Sequence, residues 1–183
     1  MVVLTLQTRI PKGPGMLIVI GGLPGTGKTT IARLLAQKRP VAYLRIDAIE
    51  HAIIQSQGQR DLGPTGYMVA YELAKSNLAL GISVIADCVN PLEITRQAWR
   101  DVAQIVGSPW MDVEVVCSNL EEHERRVNSR KTDLEGFRLP TWGEVMSREY
   151  EPWRSSRLQI DTSSTTAEEA AASILRRWST RSP

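Results

Sequence analysis

The hydrophobic positions of this chain follow two alternating patterns. Short uninterrupted apolar runs, such as MLIVIG at Met16–Gly21, are typical of parallel strands that are buried on both faces. Between them lie longer segments in which apolar residues recur every three or four positions, the spacing of an amphipathic helix. Five strands are predicted, at Met16–Gly21, Val41–Ile46, Ser83–Cys88, Asp112–Cys117 and Arg157–Asp161.

Helices are predicted between and after these strands. Four have clear apolar faces, at Lys28–Lys38, Asp47–Gln55, Tyr67–Leu80 and Glu168–Trp178. Three more begin at polar residues that cap helix N-termini, namely Asn90 with Pro91 and Glu93, Ser118 with Glu121, and Thr141 with Glu144. The polar, glycine-rich stretch Gln55–Gly66 is predicted to be a loop on the substrate side.

Strands that alternate with helices predict an α/β fold, a doubly wound parallel sheet of five strands. Residues 1–15 are expected to form an N-terminal leader or a short edge strand that ends in a PKGPG turn. The remaining residues, 16–183, are expected to form one domain, as the chain length suggests. Ligands bind such sheets at the carboxyl ends of the strands, so the residues after each strand are the candidates for function.

Composition narrows the functional classes. The 183 residues include 22 basic and 20 acidic side chains, and the net charge of +2 excludes a polycation that binds nucleic acid by charge alone. Cys88 and Cys117 end separate strands and are expected to be buried thiols that form no disulfide. No apolar stretch reaches the roughly 20 residues of a membrane span, and no signal peptide is evident, so a cytoplasmic protein without membrane partners is expected.

The first strand is followed by the phosphate-binding motif G-x-x-x-x-G-K-[ST]. Its glycines allow backbone N–H groups to surround phosphate oxygens, and the helix that follows adds positive potential at its N-terminus. Lys28 is expected to reach the β- and γ-phosphates, and the Thr29 hydroxyl to bind Mg²⁺. The predicted nucleotide-binding residues are Gly22, Leu23, Pro24, Gly25, Thr26, Gly27, Lys28, Thr29 and Thr30.

The class of P-loop protein is indicated by the rest of the sequence. P-loop proteins include GTPases, motors, transport ATPases and kinases. The sequence has neither the N-K-x-D motif of guanine recognition nor the L-S-G-G-Q signature of transporter ATPases. Because the chain is also short, these features favour a small kinase that uses ATP and Mg²⁺ and in which Lys28 is catalytic.

Acidic residues lie at the ends of the second and third predicted strands. Asp47 is predicted to orient and deprotonate an acceptor hydroxyl, a role that is compatible with capping the helix after it. Asp87 ends an apolar strand, the Walker B pattern, and is predicted to bind Mg²⁺ together with Thr29. Contact with the acceptor is the alternative role for Asp87.

Arginines are concentrated in the segment after the fourth strand. A helical lid over about residues 119–150 would bring Arg126 and Arg130 onto the transferring phosphoryl group, whose charge a guanidinium fork neutralises. The alternative is a solvated helix face on which neighbouring glutamates pair with these arginines. His51 and His123 are expected to be exposed helical residues and not metal ligands, and Trp99 to pack in the core.

Several of these motifs resemble known P-loop kinases. GLPGTGKTT, the R-I-D of strand two, and A-D-C-V-N-P followed by R-Q-A-W resemble the kinase domain of polynucleotide 5′-hydroxyl kinases, whose lid arginine maps to Arg130. I-D-A-I-E and the closing I-D-T-S-S-T-T-A-E-E-A resemble chloramphenicol 3-O-phosphotransferase, whose base after strand two maps to Asp47. Gluconate kinases, adenylylsulfate kinases and zeta toxins are similar in general plan.

The resemblance implies the strand order 2-3-1-4-5, ATP as phosphoryl donor and a hydroxyl group as acceptor. The residues of these motifs that are predicted to contact the acceptor are Asp47, Glu50, Asp87 and Arg96. A small molecule is the preferred acceptor, because residues 61–119 carry three basic and seven acidic side chains and offer no basic groove. The alternatives are a polynucleotide 5′-hydroxyl kinase, with nucleic acid as partner, and a nucleotide-dependent switch or ATPase without transfer. The sequence leaves the oligomeric state open.

Overall fold

The computed structural model describes residues 15–58 and 62–180. Within them, five strands form one sheet: β1 (Leu17–Gly21), β2 (Ala42–Arg45), β3 (Val84–Asp87), β4 (Trp110–Val116) and β5 (Leu158–Asp161). Their order is β2-β3-β1-β4-β5 and every neighbouring pair is parallel, which confirms the predicted sheet. The leader or edge strand predicted over residues 1–15 lies, except for Gly15, outside the described residues.

Helices connect the strands and cover both faces of the sheet. They are α1 (Lys28–Lys38), α2 (Ile46–Gln57), α3 (Thr65–Ala79), α4 (Glu93–Ile105), α5 (Leu120–Ser129), α6 (Trp142–Met146) and α7 (Ala167–Ser179). Helices α1 and α7 contribute to the core on one face of the sheet, and α3 and α4 to the core on the other. This is the layered arrangement expected when parallel strands alternate with helices.

The central strand β1 has no exposed side chain, because its alternate residues face the two layers of helices. Ile18 and Ile20 pack towards α1 and α7, and Leu17 and Val19 pack towards α3 and α4. All four side chains are completely buried. The uninterrupted apolar run in the sequence is therefore explained by burial on both faces, and the P-loop follows directly from this fixed strand.

The segment between β2 and α3 differs from the prediction. Helix α2 begins at Ile46, so Asp47 lies in the first turn of a helix and not at the end of a strand. The helix then continues to Gln57 and ends at Gly58, whose φ of 69° is the left-handed conformation that glycine adopts readily. Helix α3 begins at Thr65, so the predicted loop Gln55–Gly66 is shorter at both ends.

The predicted N-cap of α4 is wrong. Asn90 is fully buried ahead of the helix with a φ of 51°, and its N–H donates a hydrogen bond to the Tyr67 hydroxyl at 3.0 Å. The helix begins at Glu93, whose N–H donates to the Glu151 carboxylate at 2.6 Å. Glu151 lies 58 residues along the chain, so no local sequence pattern could show this cap.

The N-cap of α5 is also one residue away from the prediction. Asn119 caps the helix with its side-chain oxygen, whereas the Ser118 hydroxyl and N–H donate to the carboxylate of Asp161, the last residue of β5. Thr141 and Glu144 form the predicted capping box of α6. Local patterns therefore located these helices to within a residue or two, and tertiary contacts determined which polar side chain acts as the cap.

The predicted core residues are confirmed. Cys88 and Cys117 are buried free thiols, and Trp99 of α4 is completely buried. The Trp99 ring meets the ring of Tyr71 edge-on, with 4.6 Å between the ring centroids. Over residues 15–58 and 62–180, no helix is long and apolar enough to cross a membrane.

Candidate active site

The P-loop lies between β1 and α1, and close packing explains two of its glycines. Gly22 and Gly25 have φ values of 150° and 87°. A Cβ at Gly22 would lie 2.3 Å from the carbonyl oxygen of Val115, and one at Gly25 would lie 2.6 Å from Cγ2 of Val127. The loop therefore packs against β4 and α5, and this packing holds its backbone in a shape suited to surround a phosphate.

His123 supports the P-loop from α5. It is 3% exposed, and its Nε2–H donates a hydrogen bond to the Pro24 carbonyl oxygen at 2.8 Å. The ring meets Trp142 edge-on, with 5.1 Å between the centroids. The prediction that His123 is exposed is therefore wrong. A signal was present in the sequence, because His123 and Val127 are four residues apart and share the buried face of α5.

A cavity of about 770 Å³, here called the P-loop cavity, adjoins this loop. Its wall also includes the turn at residues 162–167 that follows β5. Among the described residues that line it, seven are basic and two acidic: Lys28, Arg33, Arg45, Arg125, Arg126, Arg130, Lys131, Asp47 and Asp133. This excess of positive charge, combined with backbone N–H groups at the start of α1, is suited to a triphosphate.

The nine predicted nucleotide-binding residues divide into two groups. Those that line the P-loop cavity are Gly25, Gly27, Lys28, Thr29 and Thr30. Those that shape the loop are Gly22, Leu23, Pro24 and Thr26. In the second group, the Thr26 hydroxyl donates to the Leu23 carbonyl at 2.9 Å, and the Gly22 N–H donates to a carbonyl of the segment after β3 at 3.0 Å.

Arg126 holds the turn at residues 162–167 in place. Its guanidinium donates to the Thr162 hydroxyl at 2.8 Å and to the Thr162 carbonyl at 3.0 Å, and it pairs with Glu122 at 2.7 Å. The Thr162 hydroxyl in turn donates to the Thr26 carbonyl at 2.8 Å. Arg126 therefore joins α5, the P-loop and the turn after β5 on the P-loop cavity side.

A second cavity of about 680 Å³, here called the aromatic cavity, lies between α2, α3, α4 and the segment at residues 137–148. Tyr67, Tyr71 and Phe137 provide its aromatic wall. Apolar side chains such as Ile46 and Leu92 line much of the remainder. A concave, mostly apolar site with a few polar groups is the usual form of a small-molecule site.

Lys28, Asp47 and Arg130 line both cavities, and no other described residue does. They come from the P-loop, the first turn of α2 and the residue that follows α5. Burial lowers the pKa of Arg130, the Asp47 carboxylate opposes this shift, and the positive charge of Arg45 adds to it. Three of the residues predicted to be catalytic, from three separate segments, thus lie between the two cavities, at a place here called the junction, and Arg126 lines the P-loop cavity alone.

Asp87 is buried at the end of β3, beside β1 and β2. Its carboxylate accepts a hydrogen bond from the Tyr43 hydroxyl at 2.7 Å, and the two strands bring Asp87 into register with Ile20 of β1 and Arg45 of β2. Burial, together with the Asp87 charge, raises the pKa of Tyr43, so the phenol remains a donor. Thr29, the other predicted Mg²⁺ ligand, lines the P-loop cavity in the first turn of α1.

Glu50 faces the aromatic cavity one helical turn after Asp47. Burial raises the pKa of the Glu50 carboxyl from 4.5 to about 7, the Asp47 charge adds to this shift, and Arg148 opposes it. The side chain lies directly against Gly66 of α3, where an added Cβ would be 2.3 Å from Cγ of Glu50. Near neutral pH, Glu50 therefore alternates between an acid that donates a hydrogen bond and a carboxylate that accepts one.

The stability of the fold is expected to depend on Glu50 in a defined pH window. The folded state keeps the Glu50 proton up to about pH 7, whereas the unfolded chain releases it near 4.5, so the folded state binds more protons in between. Stability should therefore decrease from about pH 5 to about pH 8, and Glu50→Gln should reduce this decrease. Urea unfolding of the wild type and of Glu50→Gln across this pH range measures the two free energies of unfolding. An equal decrease in stability for the wild type and the variant would contradict this expectation.

Asp133 connects the segment after α5 to the wall of the P-loop cavity. Its carboxylate forms ion pairs with Arg33 of α1 and with Nη1 of Arg45, the latter at 2.7 Å. The hydrogen bond from Arg45 is the main reason that the pKa of Asp133 is lowered to about 2, and Arg33 contributes as well. The segment that follows Arg130 is thereby held over the P-loop cavity.

The model of the AAA domain matches residues 17–141 of this chain, about two thirds of its length. The chain belongs to this family. The matched part of this AAA domain runs from β1 to the start of α6, so it contains the P-loop, Asp47, Asp87 and Arg130. Strand β5, the turn that Arg126 holds, and α7 follow the matched part.

Similar proteins are kinases. A probable adenylyl-sulfate kinase from Aeropyrum pernix is 28% identical over 170 residues, which are 84% of this chain and 87% of the relative. The Mycobacterium tuberculosis APS kinase CysC in complex with AMPPNP and APS has a TM-score of 0.69 at 20% identity, covering 91% of this chain and 98% of that one. Chaetomium thermophilum Kti12 in complex with ADP-AlF3 has a TM-score of 0.66 at 22% identity, covering 91% of this chain and 100% of that one. The two structures share the fold, and this AAA-domain chain is an ATP-dependent kinase.

Arg96, which is predicted to contact the acceptor, lines neither cavity. It is completely buried, and its guanidinium stacks on the Trp153 ring at 4.3 Å from the centroid and on the Tyr150 ring at 5.2 Å. Its N–H groups donate to four backbone carbonyls, those of Asn90, Pro91, Glu151 and Pro152. In this structure Arg96 therefore ties the segment before α4 to the chain at residues 150–153.

Replacing Arg96 is expected to destabilise the fold. Arg96→Met keeps the apolar stem but leaves buried carbonyl groups without donors and removes the stacking on Trp153, which should cost roughly 3–5 kcal/mol in the free energy of unfolding. Arg154→Met, at an exposed arginine nearby, is the matched control and should change little. Urea unfolding measures both, and similar small effects would contradict this role for Arg96.

The sequence prediction missed several residues of the two cavities. Arg45, Asp133 and Thr162 contribute to the P-loop cavity, and Tyr67 and Phe137 to the aromatic cavity. Arg45 and Thr162 had a local signal, since each lies at the carboxyl end of a strand, Arg45 as its last residue and Thr162 directly after it. The others are brought to the site by contacts between distant segments.

Proposed function

We propose that this kinase transfers the γ-phosphoryl group of ATP to a hydroxyl group of a small molecule in the aromatic cavity. The observation that carries the proposal is the junction formed by Lys28, Asp47 and Arg130, which line both cavities. A donor phosphate in one cavity and an acceptor hydroxyl in the other would meet at this junction. Phosphoryl transfer requires mainly such positioning and compensation of charge.

Asp47 is the group proposed to accept the proton of the acceptor. As the acceptor oxygen forms a bond to the γ-phosphorus, its proton moves to the Asp47 carboxylate. The bond between the γ-phosphorus and the oxygen that bridges it to the β-phosphorus breaks, and ADP leaves with that electron pair. Lys28 and Arg130 donate hydrogen bonds to the phosphoryl oxygens, on which negative charge accumulates.

Thr29 and Asp87 are the residues proposed to hold Mg²⁺. A magnesium ion in a kinase is bound mainly by phosphate oxygens and water, with one or two protein oxygens, so a hydroxyl and one carboxylate suffice. The Asp87 carboxylate at the end of β3 is buried, is oriented by Tyr43 and lines neither cavity, so it would act on Mg²⁺ through the water bound to the ion. When bound, the ion neutralises charge on the β- and γ-phosphates.

The charges of the aromatic cavity support a small, uncharged acceptor. Apart from the junction, its charged lining among the described residues consists of Glu50, Arg138, Glu144 and Arg148. Arg138 forms an ion pair with Glu144 at 2.7 Å. The positive charge of Arg148 lowers the pKa of the Glu50 carboxyl, against the effect of burial. A polynucleotide site needs several basic side chains along a groove, and here each base has an acidic neighbour.

Glu50 is proposed to bind a second polar group of the acceptor. Asp47 and Glu50 are three residues apart on α2, so their side chains start about 5–6 Å apart on one helix face. An acceptor whose reacting hydroxyl contacts Asp47 could reach Glu50 with a second hydroxyl. The aromatic wall would hold the apolar part of the same molecule.

Filling the aromatic cavity tests the proposal. Ala98→Trp on α4 introduces a large ring into this cavity, so it should raise the acceptor KM at least about tenfold and leave the ATP Kd unchanged. Gln104→Trp, on an exposed position of the same helix, is the control and should behave as the wild type. Acceptors are first identified by transfer of label from γ-labelled ATP to a panel of sugars, nucleosides and hydroxylated antibiotics. An unchanged acceptor KM in Ala98→Trp would contradict the location of the acceptor.

A further inference from the structure

Two arginine side chains in the P-loop cavity wall have a buried donor without a partner. The Nε–H groups of Arg45 and Arg130 are inaccessible to solvent, and neither has a hydrogen-bond acceptor among the described residues. Buried donors in native proteins are nearly always paired, so an unpaired one indicates a ligand or another missing acceptor. Both side chains line the same cavity, which also contains the P-loop.

Arg45 lies at the edge of the junction. It ends β2, two residues before Asp47, and its side chain is 13% exposed. It shares a strand face with Tyr43, whose hydroxyl contacts Asp87 on the neighbouring strand. The Arg45 guanidinium is therefore beside the carboxylate proposed to hold Mg²⁺ and beside the carboxylate proposed to accept the proton.

Arg45 and Arg130 are also close enough to repel each other. The charge of Arg45 contributes to lowering the pKa of Arg130, in addition to burial, whereas Asp47 opposes the shift. One end of Arg45 is neutralised by Asp133, through the Nη1 contact at 2.7 Å. Its Nε–H has no such partner, so an anion between the two guanidinium groups would satisfy both donors and remove the repulsion.

We propose that Arg45 contacts the transferring γ-phosphoryl group of ATP, together with Arg130. Asp133 is then a positioning residue, which holds the Nη1 end of the Arg45 fork and leaves the Nε–H, which has no other acceptor among the described residues, to donate to phosphate. This inference rests on the proposed function only for the identity of the donor, ATP. It predicts that Arg45 distinguishes ATP from ADP, because ADP has no γ-phosphate to contact.

The test compares the affinities of the Mg²⁺ complexes of ADP and of the non-hydrolysable imido analogue of ATP by titration calorimetry, without any acceptor. Arg45→Met should weaken binding of the ATP analogue about tenfold, the effect of one charged hydrogen bond, and change ADP affinity less than about twofold. Arg45→Lys keeps the charge but lacks the fork, so it should show a smaller loss with the same preference. Equal losses for the two nucleotides, or no loss, would overturn the inference.

A double-mutant cycle with Asp133→Asn separates direct contact from an effect on the lid. If Arg45 contacts the phosphate, Arg45→Met should still reduce the ATP-to-ADP affinity ratio in the Asp133→Asn background, by less than tenfold because Arg45 has lost the carboxylate that positions it. If Arg45 acts only by anchoring Asp133, the reduction should vanish there, and the inference would be overturned. Failure of the wild-type protein to bind either nucleotide would overturn the ATP-dependent proposal itself, and the inference with it.

Discussion

Asp47→Asn is expected to reduce kcat by roughly 10²–10⁴ while the affinity for ATP remains nearly unchanged, because the amide cannot accept the proton of the acceptor. The substitution keeps the size of the side chain and its position in the first turn of α2. The effect should therefore appear in the chemical step, and rapid-quench measurement of a single turnover with labelled ATP should show it. A kcat close to that of the wild type would contradict the role of Asp47 as the base.

Asp87→Asn is the control for the Asp47 variant, since both remove one carboxylate near the junction. Because Asp87 is proposed to act through Mg²⁺, its variant should need a higher Mg²⁺ concentration for half-maximal activity. The Asp47 variant should keep the wild-type Mg²⁺ dependence. Identical Mg²⁺ dependence in the two variants would contradict this division of roles.

Lys28→Met is expected to remove most activity, roughly 10²–10³-fold in kcat, because a fixed cation facing the developing negative charge is lost. Lys28 is buried in the wall shared by the two cavities, so methionine can occupy the space of its stem. The fold should survive, since the ammonium faces the cavities and not the core. Activity and urea unfolding are measured on the same preparation.

Lys38→Met is the matched control for Lys28→Met. It removes an exposed lysine from the last turn of the same helix, at the end away from the P-loop. Its activity should equal that of the wild type. Full activity in Lys28→Met, or an equal loss in both variants, would contradict the function assigned to the P-loop lysine.

The parts of the site that depend on local sequence could be predicted. The P-loop motif combines an apolar strand, glycines and a helix start within one stretch, and the structure has these elements at the expected positions. Asp47 and Asp87 could be brought together in advance because parallel strands end at one edge of the sheet. The predicted position of Asp47 at the end of the second strand still differed from the structure, because β2 ends at Arg45 and Asp47 belongs to the following helix.

The parts that depend on distant contacts could not be predicted. Arg96 was assigned to the acceptor because a charged residue in a motif suggests a ligand contact, yet its partners include carbonyls 55 and 56 residues away. Asp133 reaches Arg45 across 88 residues. The shape of the aromatic cavity also depends on how α3 and the segment at residues 137–148 pack against α2, which no pattern within one element specifies.

The fate of the γ-phosphate tests the account most directly. The enzyme is mixed with γ-labelled ATP, an uncharged small acceptor from the panel and a 5′-hydroxyl oligonucleotide, at about 50 mM and about 200 mM salt, and the label is followed to each product. We expect label on the small acceptor at both salt concentrations, little on the oligonucleotide, and little released as free phosphate. Efficient labelling of the oligonucleotide that collapses at the higher salt concentration, or slow release of phosphate that no acceptor stimulates, would contradict it.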